Sequence, residues 1–176
     1  MNPYGQRITA PGEDFRVADR LEIMDLVWRF ATSLDLADRE MFESCFADRV
    51  RWDLSNNPVR FTGGPADLAE TEFPRSEFVG IAFASMTRSP SREYFVQHCV
   101  NNPLITFTAG EKATVLAHLR NPFHAKVEGV EGAVASDRML GGLYHIDTQQ
   151  VGDRWRMSAL RLSVYSYDPK TMVGRS

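Results

Sequence analysis

The sequence predicts an α+β domain in which N-terminal helices lie against a strongly curved, antiparallel or mixed sheet and enclose an apolar pocket. Three observations carry this. Helical periodicity dominates the first half of the chain, and strand-like alternation dominates everything after Ser89-Pro90-Ser91. Two glycine-led turns, Gly110-Glu111-Lys112 and Gly152-Asp153-Arg154, separate the strand segments as hairpins would. Helices followed by strands, and not alternating with them, argue for segregated layers rather than βαβ units.

Each element follows in order. Residues 1–16 hold Pro3, Gly5, Pro11 and Gly12 without an apolar period and read as an arm. The domain proper is expected over 17–168, with 169–176 as a tail. From Val17, Leu21, Met24, Trp28 and Ala31 recur at three- and four-residue intervals, which predicts an amphipathic helix with Asp19, Glu22, Arg29 and Ser33 on its other side. Leu26 and Phe30 also fall on that other side, so partial cover is expected there. Asp38 is placed to cap a second helix over Arg39 to Phe46. Val50 to Leu54 reads as a strand, Val59 to Phe61 as a short extended piece, and 66–88 as mostly helical. The later strands are expected at Tyr94–Val100, Leu104–Phe107, Thr114–Leu119, Met139–Gln150 and Trp155–Tyr167. Gly141-Gly142 inside a strand pattern marks a sheet bend or a close backbone approach.

Bulk properties narrow the function. With 176 residues, one domain buries roughly 70% of the unfolded chain's surface. A net charge of -3 with scattered Lys and Arg gives no stripe that could neutralise phosphates, so no nucleic-acid partner is expected. Neither a secretion signal nor an apolar run of membrane-spanning length is visible, so no membrane association and a cytoplasmic location are the expectation. Cys45 and Cys99 lack metal or redox spacing and read as reduced thiols. Four histidines without HxH or HExxH spacing predict no metal, and no other cofactor is expected.

Two ionisable residues fall where apolar side chains belong. Asp35 extends the stripe of Met24 and Trp28, within roughly 20° of both at about 100° per residue. It either finds a partner inside the fold or ends the helix and points to solvent. His98 shares a strand face with Tyr94, Val96 and Val100, as a satisfied core residue or as a catalyst. Asp53, between Trp52 and Leu54, is a rival carboxylate that could equally face water. Tyr94 and Tyr144 read as pocket walls, core rings or phenol donors, and Trp28 as part of the substrate wall.

The stretches Phe30-Ala31-Thr32-Ser33-Leu34-Asp35-Leu36-Ala37-Asp38, Phe46-Ala47-Asp48-Arg49-Val50-Arg51-Trp52-Asp53, Val96-Gln97-His98-Cys99-Val100-Asn101-Asn102 and Gly152-Asp153-Arg154-Trp155-Arg156-Met157 resemble the SnoaL-like group of the nuclear-transport-factor-two-like superfamily. The resemblance covers residues 17 to 168, and its functional pattern is similar to that of scytalone dehydratase and dehydrochlorinase-type lyases. It implies a cone-shaped fold, a homodimer or homotrimer, and a small apolar, cyclic or polyketide-like substrate. It also implies that Asp35 and His98 pair as a general base, and that His124 matches a second catalytic histidine. Tyrosines of the dehydratase pattern are replaced here by Leu34 and Leu54. Ketosteroid isomerases of the superfamily place a base near the position of Asp53. Two other functions fit the same fold: the non-catalytic small subunit of an aromatic-ring-hydroxylating dioxygenase, and a protein that binds a ligand without altering it.

Overall fold

The computed structural model describes residues 15–53, 70–87, 94–108, 110–126 and 134–167. The expected segment at Val59 to Phe61, most of the arm and the tail lie outside these. Among these residues three helices, α1 (Val17–Asp35), α2 (Arg39–Ser44) and α3 (Arg75–Thr87), accompany seven strands. The strands are β1 (Phe46–Asp53), β2 (Thr71–Pro74), β3 (Tyr94–Val96), β4 (Cys99–Phe107), β5 (Lys112–Lys126), β6 (Val134–Val151) and β7 (Arg154–Tyr167). They form one open sheet in the order β2-β1-β7-β6-β5-β3, with β4 also on β5. Among the described residues only the β1/β7 pairing is parallel, so the sheet is mixed, as a curved α+β sheet was expected to be. Among the described residues no helix is long and apolar enough to cross a membrane.

Local chemistry explains the joints. Asp38 caps α2 as expected, its carboxylate accepting from Met41 N at 2.9 Å. It also closes α1: Asp38 N donates to Ser33 O at 2.8 Å and Ala37 N to Leu34 O at 3.2 Å, the bond pair of a Schellman ending, with Ala37 left-handed at φ 52°. One residue therefore ends a helix and starts the next, which fixes where Asp35 emerges. Gly152, at φ 63°, supplies the positive dihedral that the two-residue β6–β7 loop requires.

The core is aromatic where helices meet sheet. Phe30 of α1, Phe42 of α2, Phe46 and Trp52 of β1, and Phe78 of α3 are all buried and in ring contact, with centroids 4.7–6.2 Å apart. Across the sheet, Val115, Ala117 and Leu119 of β5, Tyr144 and Ile146 of β6, and Met157 and Leu160 of β7 complete this inner face.

The rotation of α1 corrects one expectation. Leu21 and Trp28 are 61% and 48% exposed, whereas Ile23, Leu26, Val27 and Phe30 are fully buried. The helix carries two apolar stripes about one residue, or about 100°, apart, and the broader one docks on the sheet. Its carboxylates decide the choice. Asp19, expected to face solvent, accepts from the buried Trp155 Nε1 at 2.9 Å, and Glu22 accepts from Trp155 N at 3.0 Å and Arg154 Nε at 2.8 Å. These bonds tie the start of α1 to the start of β7.

The glycine pair makes the close approach expected of it. A Cβ on Gly142 would lie 2.4 Å from Ser163 O and 3.2 Å from the Val164 Cα, at the register shift where Tyr165 bulges from β7.

Two outcomes follow for stability. Gly142→Ala should destabilise by about 1–3 kcal/mol or more, since a strand backbone must move to admit the methyl group, which urea unfolding will measure. Asp19→Ala should cost about 1–3 kcal/mol by stranding a buried indole N–H. The bond from Trp155, helped by Arg16, holds the Asp19 carboxyl below its ordinary value. A depressed carboxyl stabilises above its unfolded titration and loses that contribution on acidification, so the gap between wild type and variant should narrow below about pH 4.

Candidate active site

The site begins at the C-terminal residue of α1. Asp35 shares a helix face with Met24 and Trp28, as the spacing predicts, but that face borders solvent at the rim of the sheet and is not sealed in the core. A carboxylate here opposes the helix dipole, whose negative end lies at the last turn. No basic residue in that turn compensates. The compensation comes from across the fold: one oxygen of Asp35, Oδ1, accepts from the backbone N–H of His98 at 2.8 Å and lies 2.7 Å from His98 Nδ1. The imidazole is 8% exposed and the carboxylate 28%.

Two donors on one oxygen fix this geometry. The backbone N–H sets the position of the carboxylate, and the ring then has only one way to reach it. With Asp35 ionised and acceptor-only, Nδ1 carries the proton and Nε2 keeps its lone pair, an assignment that follows from the hydrogen-bond network. That is the tautomer a general base needs.

Register places His98 among its neighbours. Tyr94, Phe95 and Val96 pair with Ala125, His124 and Phe123, and Cys99 and Val100 pair with Arg120 and Leu119. The same phase runs through 97–98, where Gln97 N donates to Pro122 O at 3.1 Å. His98 therefore stands opposite Asn121, on the inner pleat with the buried Leu119.

Asn121 was not anticipated, because the strand was expected to stop at Leu119 while β5 continues to Lys126. The signal was present: Val115, Ala117, Leu119, Asn121 and Phe123 alternate, and one member is polar. Asn121 is 4% exposed and its side chain bonds the phenol of Tyr144, while its Oδ1 has no partner among the described residues. Tyr144 is buried on the same inner face, edge-on to Phe30 at 5.7 Å. Burial pushes its phenol up to about 12, and the nearby Asp35 charge adds to this against the Asn121 bond. Tyr144 thus stays protonated at neutral pH and keeps its phenol hydrogen.

The remaining expected residues lie elsewhere. His124 pairs with Phe95 and Ser136, and strand alternation turns it to the face opposite Asn121 and Phe123, away from the dyad. The expected match fell on the wrong pleat because a shift of one residue along a strand reverses its side chains. Asp53 pairs with Arg161, whose guanidinium donates to His145 Nδ1 at 3.0 Å, and this cluster lies on the outer face of the sheet. Burial and then Arg161 lower the His145 titration. Trp28 flanks Asp35 at the rim, half exposed. The backbone of Tyr94 pairs with Ala125, and its side chain lies outside the described residues. Cys45 and Cys99 are free thiols, in keeping with their spacing, and burial pushes Cys45 up to about 11.

Comparison with known proteins places the chain in a family. A candidate scytalone dehydratase from Novosphingobium aromaticivorans is similar in fold at 14% identity and a TM-score of 0.64, over 89% of this chain and 91% of that one. A type 2 hexachlorocyclohexane dehydrochlorinase is similar at 15% identity and a TM-score of 0.63, over 88% and 90%. A candidate aromatic ring hydroxylase, also from Novosphingobium aromaticivorans, is similar at 17% identity and a TM-score of 0.57, over 86% and 93%. At these identities the likeness is one of fold. No functionally curated protein matches the chain. The family model of the SnoaL-like domain matches residues 16–161, and the chain belongs to the SnoaL-like domain family.

Proposed function

We propose that the protein is a cofactor-independent lyase or isomerase, of dehydratase type, that uses Asp35 and His98 as a general-base pair on a small apolar cyclic or polyketide-like carbonyl compound. The observation that carries this reading is the single Asp35 oxygen holding both the backbone N–H and the ring Nδ1 of His98, at 2.8 and 2.7 Å. A structural ion pair needs no such control of tautomer. A base does.

In the proposed reaction, Nε2 of His98 takes a proton from the carbon beside the carbonyl. The C–H electrons move onto the carbonyl oxygen, and the resulting enolate is stabilised by the Tyr144 O–H. Its collapse forms a carbon–carbon double bond and expels a β-hydroxyl group, which leaves as water with the proton from the imidazolium. Return of that proton to a different carbon gives isomerisation instead. Asp35 stabilises the charged ring throughout, and the pair is worth about 10² to 10⁴ in rate. The SnoaL-like fold and its dehydratase and dehydrochlorinase neighbours support this class of chemistry.

A second reading, the small subunit of an aromatic-ring-hydroxylating dioxygenase, has a fold neighbour in the candidate ring hydroxylase. It gives the Asp35–His98 contact no task.

Deuterium exchange of cyclohexanone in heavy water, and water loss from β-hydroxycyclohexanone followed by enone absorbance, test the proposal. His98→Ala and Asp35→Asn should each lower the rates by about 10² to 10⁴ with folding intact by circular dichroism. Activity equal to wild type in both variants would reject the dyad.

A further inference from the structure

Inside the fold, one polar group is left open beside the dyad. Asn121 is 4% exposed, and its Oδ1 has no hydrogen-bond partner among the described residues. A buried acceptor without a partner is costly, and a fold keeps one where a ligand completes it. The Asn121 side chain also bonds the Tyr144 phenol, and because Oδ1 is the atom left over, the amide Nδ2 is assigned as the donor and the phenol hydrogen is left to donate. Asn121 stands opposite His98 in strand register, and Tyr144, which pairs with Ala117 on the next strand, shares the same inner face.

We propose that Asn121 and Tyr144 form a binding clamp that selects hydroxy-ketones, the Tyr144 O–H donating to the ketone oxygen and Asn121 Oδ1 accepting from a ligand hydroxyl. This deepens the reading of Asp35 and His98 as a base by naming the substrate class, and rests on it only for the chemical step. The clamp excludes as much as it admits. A hydrocarbon or chlorinated ring of the same size leaves Oδ1 buried and unpaired, and a site built to bond a hydroxyl rejects the analogue that lacks one. Chlorine fills the volume of a hydroxyl group but offers no proton.

The test is binding, which does not require turnover. Ligand-observed NMR titration compares γ-hydroxycyclohexanone with γ-chlorocyclohexanone, neither of which has a β leaving group. Wild type should bind the hydroxy compound at least about tenfold more tightly, the factor that about 1.4 kcal/mol confers. Asn121→Leu, close to isosteric, should abolish that preference by weakening the hydroxy compound and improving the chloro one. Tyr144→Phe should weaken both ketones several-fold, and it decides the matter if Asn121→Leu does not fold. Equal binding of the two ketones by wild type, a preference that survives Asn121→Leu, ketone affinity unchanged in Tyr144→Phe, or no binding of either ketone at tens of millimolar would each overturn the clamp. His98→Ala should keep the preference whatever it does to water loss, so the clamp and the base can fail separately.

Discussion

The docking of α1 is the constraint on which the rest depends, and carboxylates set it at both ends. At the first turn, Asp19 and Glu22 hold the indole and backbone of Trp155 and the side chain of Arg154. At the last, Asp35 holds His98. Between these points Ile23, Leu26, Val27 and Phe30 fill the concave side of the sheet. A helix with two apolar stripes could pack in either of two rotations, and burial alone separates them poorly. Directional bonds to buried donors separate them well, because the wrong rotation would leave the indole N–H of Trp155 unpaired.

The two clamps differ in electrostatic sense. Asp19 lies in the first turn, where the helix dipole favours an anion, and its bonds there are those of a structural anchor. Asp35 lies at the opposite terminus, where the dipole disfavours one. The fold accepts that disadvantage and offsets it with two donors from a single residue of a distant strand. The pairing specifies one tautomer of one histidine, which is what the proposed general base requires.

Strand parity governs which side chains join that histidine. β3 and β4 keep one register on β5 through the break at 97–98, so His98 and Asn121 face each other, while His124 is out of phase. The result is a row of graded polarity on an apolar wall: a carboxylate at the rim, an imidazole almost buried, then an amide and a phenol fully enclosed. The outer face carries a separate polar cluster, Asp53, His145 and Arg161, divided from this row by the thickness of the sheet.

Local patterns in the chain determined much of this. The order of helices and strands, the cap at Asp38, the turn at Gly152 and the tight glycine pair at Gly141-Gly142 each follow from near-neighbour chemistry, and near-neighbour chemistry is visible in a sequence. The helical spacing of Asp35 with Trp28, and the strand phase of His98, were legible for the same reason, and family resemblance supplied their pairing. Tertiary structure alone decided three matters. It chose the rotation of α1, because Trp155 lies more than a hundred positions from its partners in the chain. It extended β5 past Leu119, since Asn121 and Pro122 form strand only where β6 and the β3–β4 line flank them. And it set the register that exchanges His124 for Asn121, because strand phase is fixed by pairing across the sheet and a period of two leaves no tolerance for an error of one residue.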